Sequence, residues 1–277
     1  MWTILNITVN KKFILIEYST YGSKKKATDG GKILLVGALF LWYNERSLYS
    51  TMEAAMKEIQ IDKNLYNTYP EIRLGCLEFE TEVKDSDEKF WAYLDQEILP
   101  KIRENIEGKE WGEIPGVRGS RAAYKAFGRN PGRYRVSSEA LLRRVRRGDE
   151  LYHVNSVVDV NNLISVESGL SVGSYDLDEV HGTVTLRKAE AGEGYQGIGK
   201  DFLDMENMLV LADADGIFGS SMSDSTRAMV TEKTKHVLAV IYCFEAAADL
   251  DALLERAKEA FQAYAGAEHV ETAVFSK

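Results

Sequence analysis

Three features of the chain predict an α+β architecture. Helical patterns dominate residues 85–147. After residue 168 the pattern changes to short, β-rich runs punctuated by glycine. Residues 249–275 then read as an amphipathic helix followed by a strand. Helices first, strands second, then helix and strand, give an α+β arrangement with a mostly antiparallel or mixed sheet. The 277 residues allow one large domain or two small ones. With 45% apolar and 28% charged residues, a core can be buried and wholesale disorder is excluded.

Residues 1–51 stand apart. Two apolar patches, 13–16 and 33–43, lie either side of Lys24-Lys25-Lys26 with no clean period of 2 or 3.6. The longer patch has eleven residues, too few to span a bilayer. The order of charge and apolar stretch does not fit a signal peptide. Met52-Glu53-Ala54-Ala55-Met56-Lys57-Glu58 then opens a helix. Residues 1–51 are therefore read as a poorly ordered leader that is not native, with Met52 or Met56 as the biological start. The alternative is a short peripheral hairpin. Residues 52–277 form the single domain, with a helical part over 52–150.

Further along, 72–80 alternates and reads as a strand. A helix covers 85–106, where Asp85 and Glu88 have capping-box spacing and Phe90, Leu94, Ile98 and Ile102 recur every four positions. Ile114-Pro115-Gly116 breaks the chain. A short helix over 121–127 ends at Gly128-Arg129-Asn130-Pro131-Gly132. Ser138 caps a helix over 139–147, closed by Gly148, with Leu141, Leu142 and Val145 on one face and arginines on the other. A buried helix occupies 154–168. Strands follow at 183–188, 208–212 and 235–244, the last long and β-branched enough to be central. The helix over 249–265 turns Leu250, Leu253, Leu254, Ala257, Phe261 and Tyr264 to one side and ends at Gly266. Residues 270–275 form the last strand.

The net charge is −9, yet residues 118–147 hold ten basic residues against one acid, Glu139. That stretch carries +9 and the remainder −18. Nine of the ten are arginine, whose fork suits phosphate or carboxylate. Two readings stand: an RNA-binding patch, or a solvated helical face balanced by acidic neighbours. The two cysteines, Cys76 and Cys243, fit no zinc spacing and no disulfide framework, and point to a reducing, cytoplasmic compartment. Four scattered histidines point away from a histidine-based metal site.

Gly192-Glu193-Gly194-Tyr195-Gln196-Gly197 does not follow a strand and open a helix, which rejects a dinucleotide loop. Gly128 to Gly132 lacks the ending of a phosphate loop, and there is no serine nucleophile elbow. No cofactor is implied. Three polar stretches remain: 131–144, 155–178 and 218–227. Asp159 and Asn162 lie in an otherwise apolar segment, where unpaired polar groups are costly. They pair with a ligand, or Asn155 and Asp159 simply cap and hold loops.

Together these stretches resemble the B3/B4 domain of the phenylalanyl-tRNA synthetase beta subunit, and especially its freestanding relatives. The family's Asn-x-x-Val-Asp-x-x-Asn run matches Asn155 to Asn162, and its Asp-Leu-Asp turn after an aromatic matches Tyr175-Asp176-Leu177-Asp178. Arg187, Ala189, Gly192 and Glu193 also match, as do Ala212-Asp213 and the turn 216–219. Ser223-Asp224-Ser225-Thr226-Arg227, Thr234-Lys235 and the arginine-rich helix look like the freestanding branch. The resemblance covers about residues 71–244 and implies a mixed sheet or sandwich core flanked by helices.

In the synthetase this domain is linked to tRNA and to editing, the hydrolysis of a wrongly formed aminoacyl ester. The family's histidine in Pro-x-His-x-Phe-Asp is replaced by Gly173 within Ser171-Val172-Gly173-Ser174-Tyr175-Asp176. A glycine opens space and lets a ligand approach the backbone, but supplies no acid or base. Asp224, or a water held by Ser223 and Asp224, is the replacement the sequence offers; it serves as a base if burial raises its pKa. The resemblance thus implies a tRNA or aminoacyl-tRNA partner. The ligand pocket is expected at Asn155, Asp159, Asn162, Gly173, Tyr175 and Asp176, and tRNA contacts from Arg143, Arg144, Arg146 and Arg147. The competing reading is a non-catalytic module binding tRNA or an amino-acid-like ligand. Ligation is excluded because the aminoacylation machinery is absent from this chain.

Overall fold

The computed structural model describes residues 2–9, 12–19 and 56–277. They divide into two units, Met1–Ala55 and Met56–Lys277. In the first, β1 (Trp2–Val9) and β2 (Lys12–Ser19) pair antiparallel, with Trp2 opposite Ser19 and Val9 opposite Lys12. The lysine run and the apolar patch 33–43 lie outside the described residues, as do residues 52–55 of the expected helix start. Met56, Lys57 and Glu58 are not helical and lead into β3 (Ile59–Ile61), whose alternating burial serves a strand.

The second unit continues with α1 (Lys63–Thr68) and β4 (Arg73–Glu80). Next comes α2 (Glu88–Tyr93), joined through a π-helical turn (Leu94–Ile98) to α3 (Leu99–Ile106). Asp87, not Asp85, caps α2: its carboxylate accepts from the Phe90 N–H at 2.8 Å. Helices α4 (Val117–Ala126), α5 (Ser137–Arg147) and α6 (Ser156–Ser168) follow. Ser138 does not cap α5. It lies inside the helix, fully buried, with its N–H donating to Ser171 Oγ at 3.2 Å. Strands β5 (Ser171–Asp176), β6 (Val184–Lys188), β7 (Gly194–Gln196), β8 (Phe202–Asp204), β9 (Leu209–Asp213), β10 (Gly216–Ser220) and β11 (His236–Cys243) come next. Then α7 (Leu250–Ala265) and β12 (Glu268–Phe275) close the chain.

Two four-stranded sheets form the frame. One is the antiparallel β12-β4-β11-β5; the other is β10-β9-β6-β3, antiparallel except for the parallel β3–β6 pair. The sequence of β11 explains the layering. It is apolar at nearly every position and buried from Val237 to Cys243, so each face needs a cover. Val237, Ala239, Ile241 and Cys243 join a core with α6 and α7 residues such as Val160, Leu163, Leu254 and Phe261. Leu238, Val240 and Tyr242 join a second core with Val184, Leu186, Leu211 and Phe218 of the other sheet. The result is a β-sandwich with helices on the outer face of one sheet, an α+β fold. No helix among the described residues is long and apolar enough to cross a membrane.

Candidate functional site

The β9–β10 hairpin carries a bulge: its register shifts between Ile217 and Gly219. Bulges re-aim the chain beside them. Here the following turn folds back and is pinned by three backbone bonds, Ser225 N to Phe218 O at 2.9 Å, Thr226 N to Gln196 O at 3.0 Å and Ile198 N to Asp224 O at 3.1 Å. Asp224 is thereby set against β5 and β11, on the face that meets the second sheet.

Its carboxylate meets a line of phenols. Tyr175 donates its hydroxyl to Asp224 Oδ1 at 2.7 Å, and the Ser220 N–H donates to the same oxygen at 3.1 Å. The Tyr175 and Tyr242 hydroxyls are 2.7 Å apart. Because the Tyr175 proton is committed to Asp224, Tyr242 donates to Tyr175. Among the described residues nothing donates to Asp224 Oδ2. Burial pushes the Asp224 carboxyl up to about 6, against the opposing pull of Tyr175, the Ser220 N–H and the Lys200 charge. Burial likewise holds Tyr175 and Tyr242 well above the usual phenol value, so both stay protonated. Two further tyrosines fix the turn: Tyr195 donates to the Ser223 carbonyl at 2.6 Å, and the Tyr124 hydroxyl meets Ser221 Oγ at 2.8 Å.

The structure corrects the sequence reading of Gly173. No open approach lies over it. A Cβ at residue 173, or at Gly219 across the sandwich, would overlap the Tyr175 phenol oxygen. The two glycines make room for that phenol, not for a ligand at the backbone.

The expected single pocket is corrected as well. Gly173, Tyr175 and Asp224 come together. Asn155, Asp159 and Asn162 lie on α6, across the sheet. Strand alternation decides this: Tyr175 faces the sandwich, whereas its neighbour Ser174 turns to α6 and bonds Asn161 Oδ1 at 2.9 Å. Asn155 is the N-cap of α6, accepting from the Val157 and Val158 N–H groups at 3.2 and 3.0 Å. Asp159 accepts from Ser86 Oγ at 2.7 Å and the Val154 N–H at 2.9 Å, with burial raising its carboxyl pKa. Asn162 is partly buried on the same helix. Asp176 accepts from Thr234 Oγ1 at 2.6 Å and the Asp178 N–H at 3.2 Å, tying β5 to the following turns.

The α5 arginines are occupied within the chain. Arg143 bonds Glu139 at 2.9 Å and lies over the Trp111 ring. Arg144 grips the Glu150 carbonyl at 2.7 Å and stacks on Tyr152. Arg146 reaches the Ile106 carbonyl at 2.8 Å and also covers Trp111. Arg147 pairs with Asp149 at 2.6 Å. Glu139, 1% exposed, also receives Arg121 at 3.0 Å. Of the two sequence readings, an RNA-binding patch or a face balanced by acidic neighbours, the contacts favour the second: these arginines staple the chain to itself.

His181, Asp213 and Asp215 converge near the β9–β10 turn. Asp213 is filled by Arg227, at 2.8 Å, and by the His181 and Asp215 N–H groups. A guanidinium already neutralises this cluster. Beside it a surface cavity of about 440 Å³ is lined by Glu193, Tyr195, Asp215, Gly216, Thr226 and Arg227. Its Tyr195 is the residue whose hydroxyl holds Ser223, so this cavity adjoins the Asp224 turn.

Sequence reasoning missed Tyr124, Tyr195 and Tyr242. One signal was available for Tyr242: a hydroxyl following the apolar run Val237 to Ile241 in a buried strand must find a buried partner.

The B3/4 domain family matches residues 119–263. Phenylalanine--tRNA ligase beta subunits are similar over shorter stretches: that of Cutibacterium acnes is 31% identical over 87 residues, 31% of this chain and 10% of its own. That of Tropheryma whipplei is 33% identical over 84 residues, 30% of this chain and 9% of its own. That of Legionella pneumophila strain Lens is 30% identical over 104 residues, 35% of this chain and 12% of its own. The matched stretch is thus about a tenth of the length of these curated relatives. A crystal structure of an N-terminal fragment of the phenylalanyl-tRNA synthetase beta-subunit from Pyrococcus horikoshii is similar to 80% of this chain and 51% of its own, with a TM-score of 0.39 and 12% identity.

Proposed function

The chain belongs to the B3/4 domain family, and from that premise we propose that it binds tRNA and hydrolyses misacylated aminoacyl-tRNA with Asp224 as general base. The observation that carries this reading is the state of the Asp224 carboxylate. Oδ1 is held by two donors while Oδ2 takes none among the described residues, and the group titrates at about 6. A carboxylate that is mostly ionised near neutrality yet basic enough to take a proton suits a general base. In this reading Oδ2 takes a proton from water as the water oxygen attacks the ester carbonyl carbon. The ester C–O bond then breaks, the tRNA hydroxyl leaves with a proton, and the free amino acid departs. The Ser223 hydroxyl, on the neighbouring residue, orients the water. No imidazole at residue 173 is needed.

The direct test is deacylation of a panel of mischarged tRNAs by the purified protein, with the Asp224→Asn variant beside it. The reading expects hydrolysis of at least one mischarged species and its loss in the variant, with tRNA binding kept. A second reading, a tRNA-binding module without catalysis, is favoured by the Tyr175 phenol filling the space over Gly173. It expects tRNA binding with no deacylation by the unaltered protein.

A further inference from the structure

The ten basic residues of 118–147 divide by what they touch. Arg118 pairs with Glu245 at 2.9 Å, and Arg121 and Arg143 share Glu139. Arg147 pairs with Asp149, while Arg144 and Arg146 hold backbone carbonyls. Lys125, Arg129, Arg133 and Arg135 remain, and none has a carboxylate partner among the described residues. They run from the last turn of α4, which holds Lys125, to the start of α5.

This segment is ordered by its own bonds. Asn130 Oδ1 accepts from the Gly132 N–H at 2.8 Å, and the Asn130 carbonyl accepts from the Arg133 and Tyr134 N–H groups at 3.0 and 2.9 Å. The Arg129 and Arg133 guanidiniums lie 5.1 and 5.5 Å from the Tyr134 ring centroid. The Arg129 Nε is buried with no partner, whereas Lys125, Arg133 and Arg135 are exposed. Both ends of the segment are tied to one residue: the Tyr124 hydroxyl meets Ser221 Oγ at 2.8 Å, and the Ser137 N–H donates to the Ser221 carbonyl at 2.8 Å. Ser221 belongs to the turn that carries Asp224.

We infer that the 125–135 loop, rather than α5, is the surface that takes the sugar–phosphate backbone of RNA beside Asp224. This rests on the tRNA reading given above. Four cations with no carboxylate partner among the described residues, close together on a chain of net charge −9, make a local positive surface. Guanidinium planes held against an aromatic ring suit an unpaired RNA end, where bases stack on arginine and phosphates accept its fork. An acidic polypeptide offers carboxylates but no base to stack.

The test measures binding of the full chain to an unacylated tRNA transcript over a range of salt. Four neutralised phosphates give a slope of log affinity against log salt of about −3, and each phosphate left without its cation flattens it by about 0.7–0.9. The double variant Arg133→Glu, Arg135→Glu should weaken binding by about tenfold or more and flatten the slope by about 2, with an unchanged melting temperature. Should that variant fold poorly, Lys125→Gln with Arg133→Gln should move affinity and slope in the same direction. Undiminished tRNA binding by the folded loop variants would overturn the assignment of this surface while leaving the tRNA reading in place. No salt-dependent tRNA binding by the unaltered chain would overturn both. Equal competition by poly-glutamate would overturn the assignment of RNA as the partner.

Discussion

Tyr175 gives its hydroxyl proton to Asp224 across the sandwich at 2.7 Å, and its phenol oxygen fills the space that side chains at Gly173 and Gly219 would claim. One residue of β5 thus both orients the candidate base and closes the backbone around it. The bulge in β10 makes this possible, because it brings the following turn back onto the sheet.

Asp224 should set the pH behaviour of the protein. A carboxyl titrating at about 6 predicts that deacylation rises with pH and levels off above about 6. Its folded pKa is higher than the roughly 3.9 of an unfolded chain, so the folded state prefers the protonated form. The associated stability is full below about pH 4 and is lost as pH rises through about 6, by up to about 2–3 kcal/mol. Asp224→Asn cannot titrate and keeps an acceptor for Tyr175 and Ser220. Between pH 5 and 7 its melting temperature should therefore rise relative to the unaltered protein. A constant difference across that range would show that the carboxyl is not held in its buried state.

Tyr175→Phe removes the hydroxyl that lowers the Asp224 pKa. The pH profile of activity should shift upward, because the carboxylate loses a stabilising donor. Tyr242 also loses its acceptor, and a buried hydroxyl left without a partner costs about 1–3 kcal/mol. Thermal melting and a pH–rate profile on the same variant separate the two effects; an unshifted profile would break the link between Tyr175 and Asp224.

Gly173→Ala should destabilise the protein by about 1–3 kcal/mol, since the new methyl meets the Tyr175 phenol. Combined with Tyr175→Phe, which removes the overlapping oxygen, the loss should be smaller than the sum of the two single variants. A double-mutant cycle by chemical denaturation reads this coupling. Strict additivity would mean the phenol does not occupy that space.

The α5 arginines should matter for stability more than for RNA. Glu139 is 1% exposed and its carboxylate is paired with both Arg121 and Arg143. Replacing Arg143 and Arg147 by alanine should cost about 1–3 kcal/mol, a few degrees of melting temperature, nearly all of it from Arg143. The exposed Arg147–Asp149 pair contributes at most about 1 kcal/mol. The affinity for tRNA should change little. A large loss of affinity at unchanged stability would restore α5 as an RNA contact.

The amino-acid order alone determined the α+β class, the buried helix α6, the central strand β11 and the amphipathic α7, because each is written in local periodicity and capping. Gly148 and Gly266 close their helices in left-handed conformations, as glycine after a helix predicts. Asp224 stood out as a polar residue in a dense polar run, and the run 118–147 stood out by charge. Tertiary packing decided everything that depends on which groups meet. Strand alternation sent Tyr175 and Ser174 to opposite faces of one sheet, so Asp159 and Asp224 ended up in different layers. Phenols distant in sequence met around Asp224, Tyr124 and Tyr195 on its turn and Tyr242 on Tyr175, an arrangement that leaves no pattern in composition. The arginines look alike in the sequence, but those of α5 found carboxylates, carbonyls and rings while those of the 125–135 segment found no carboxylate among the described residues. Periodicity reports which face of an element is apolar; it carries no information about the partner that face will find.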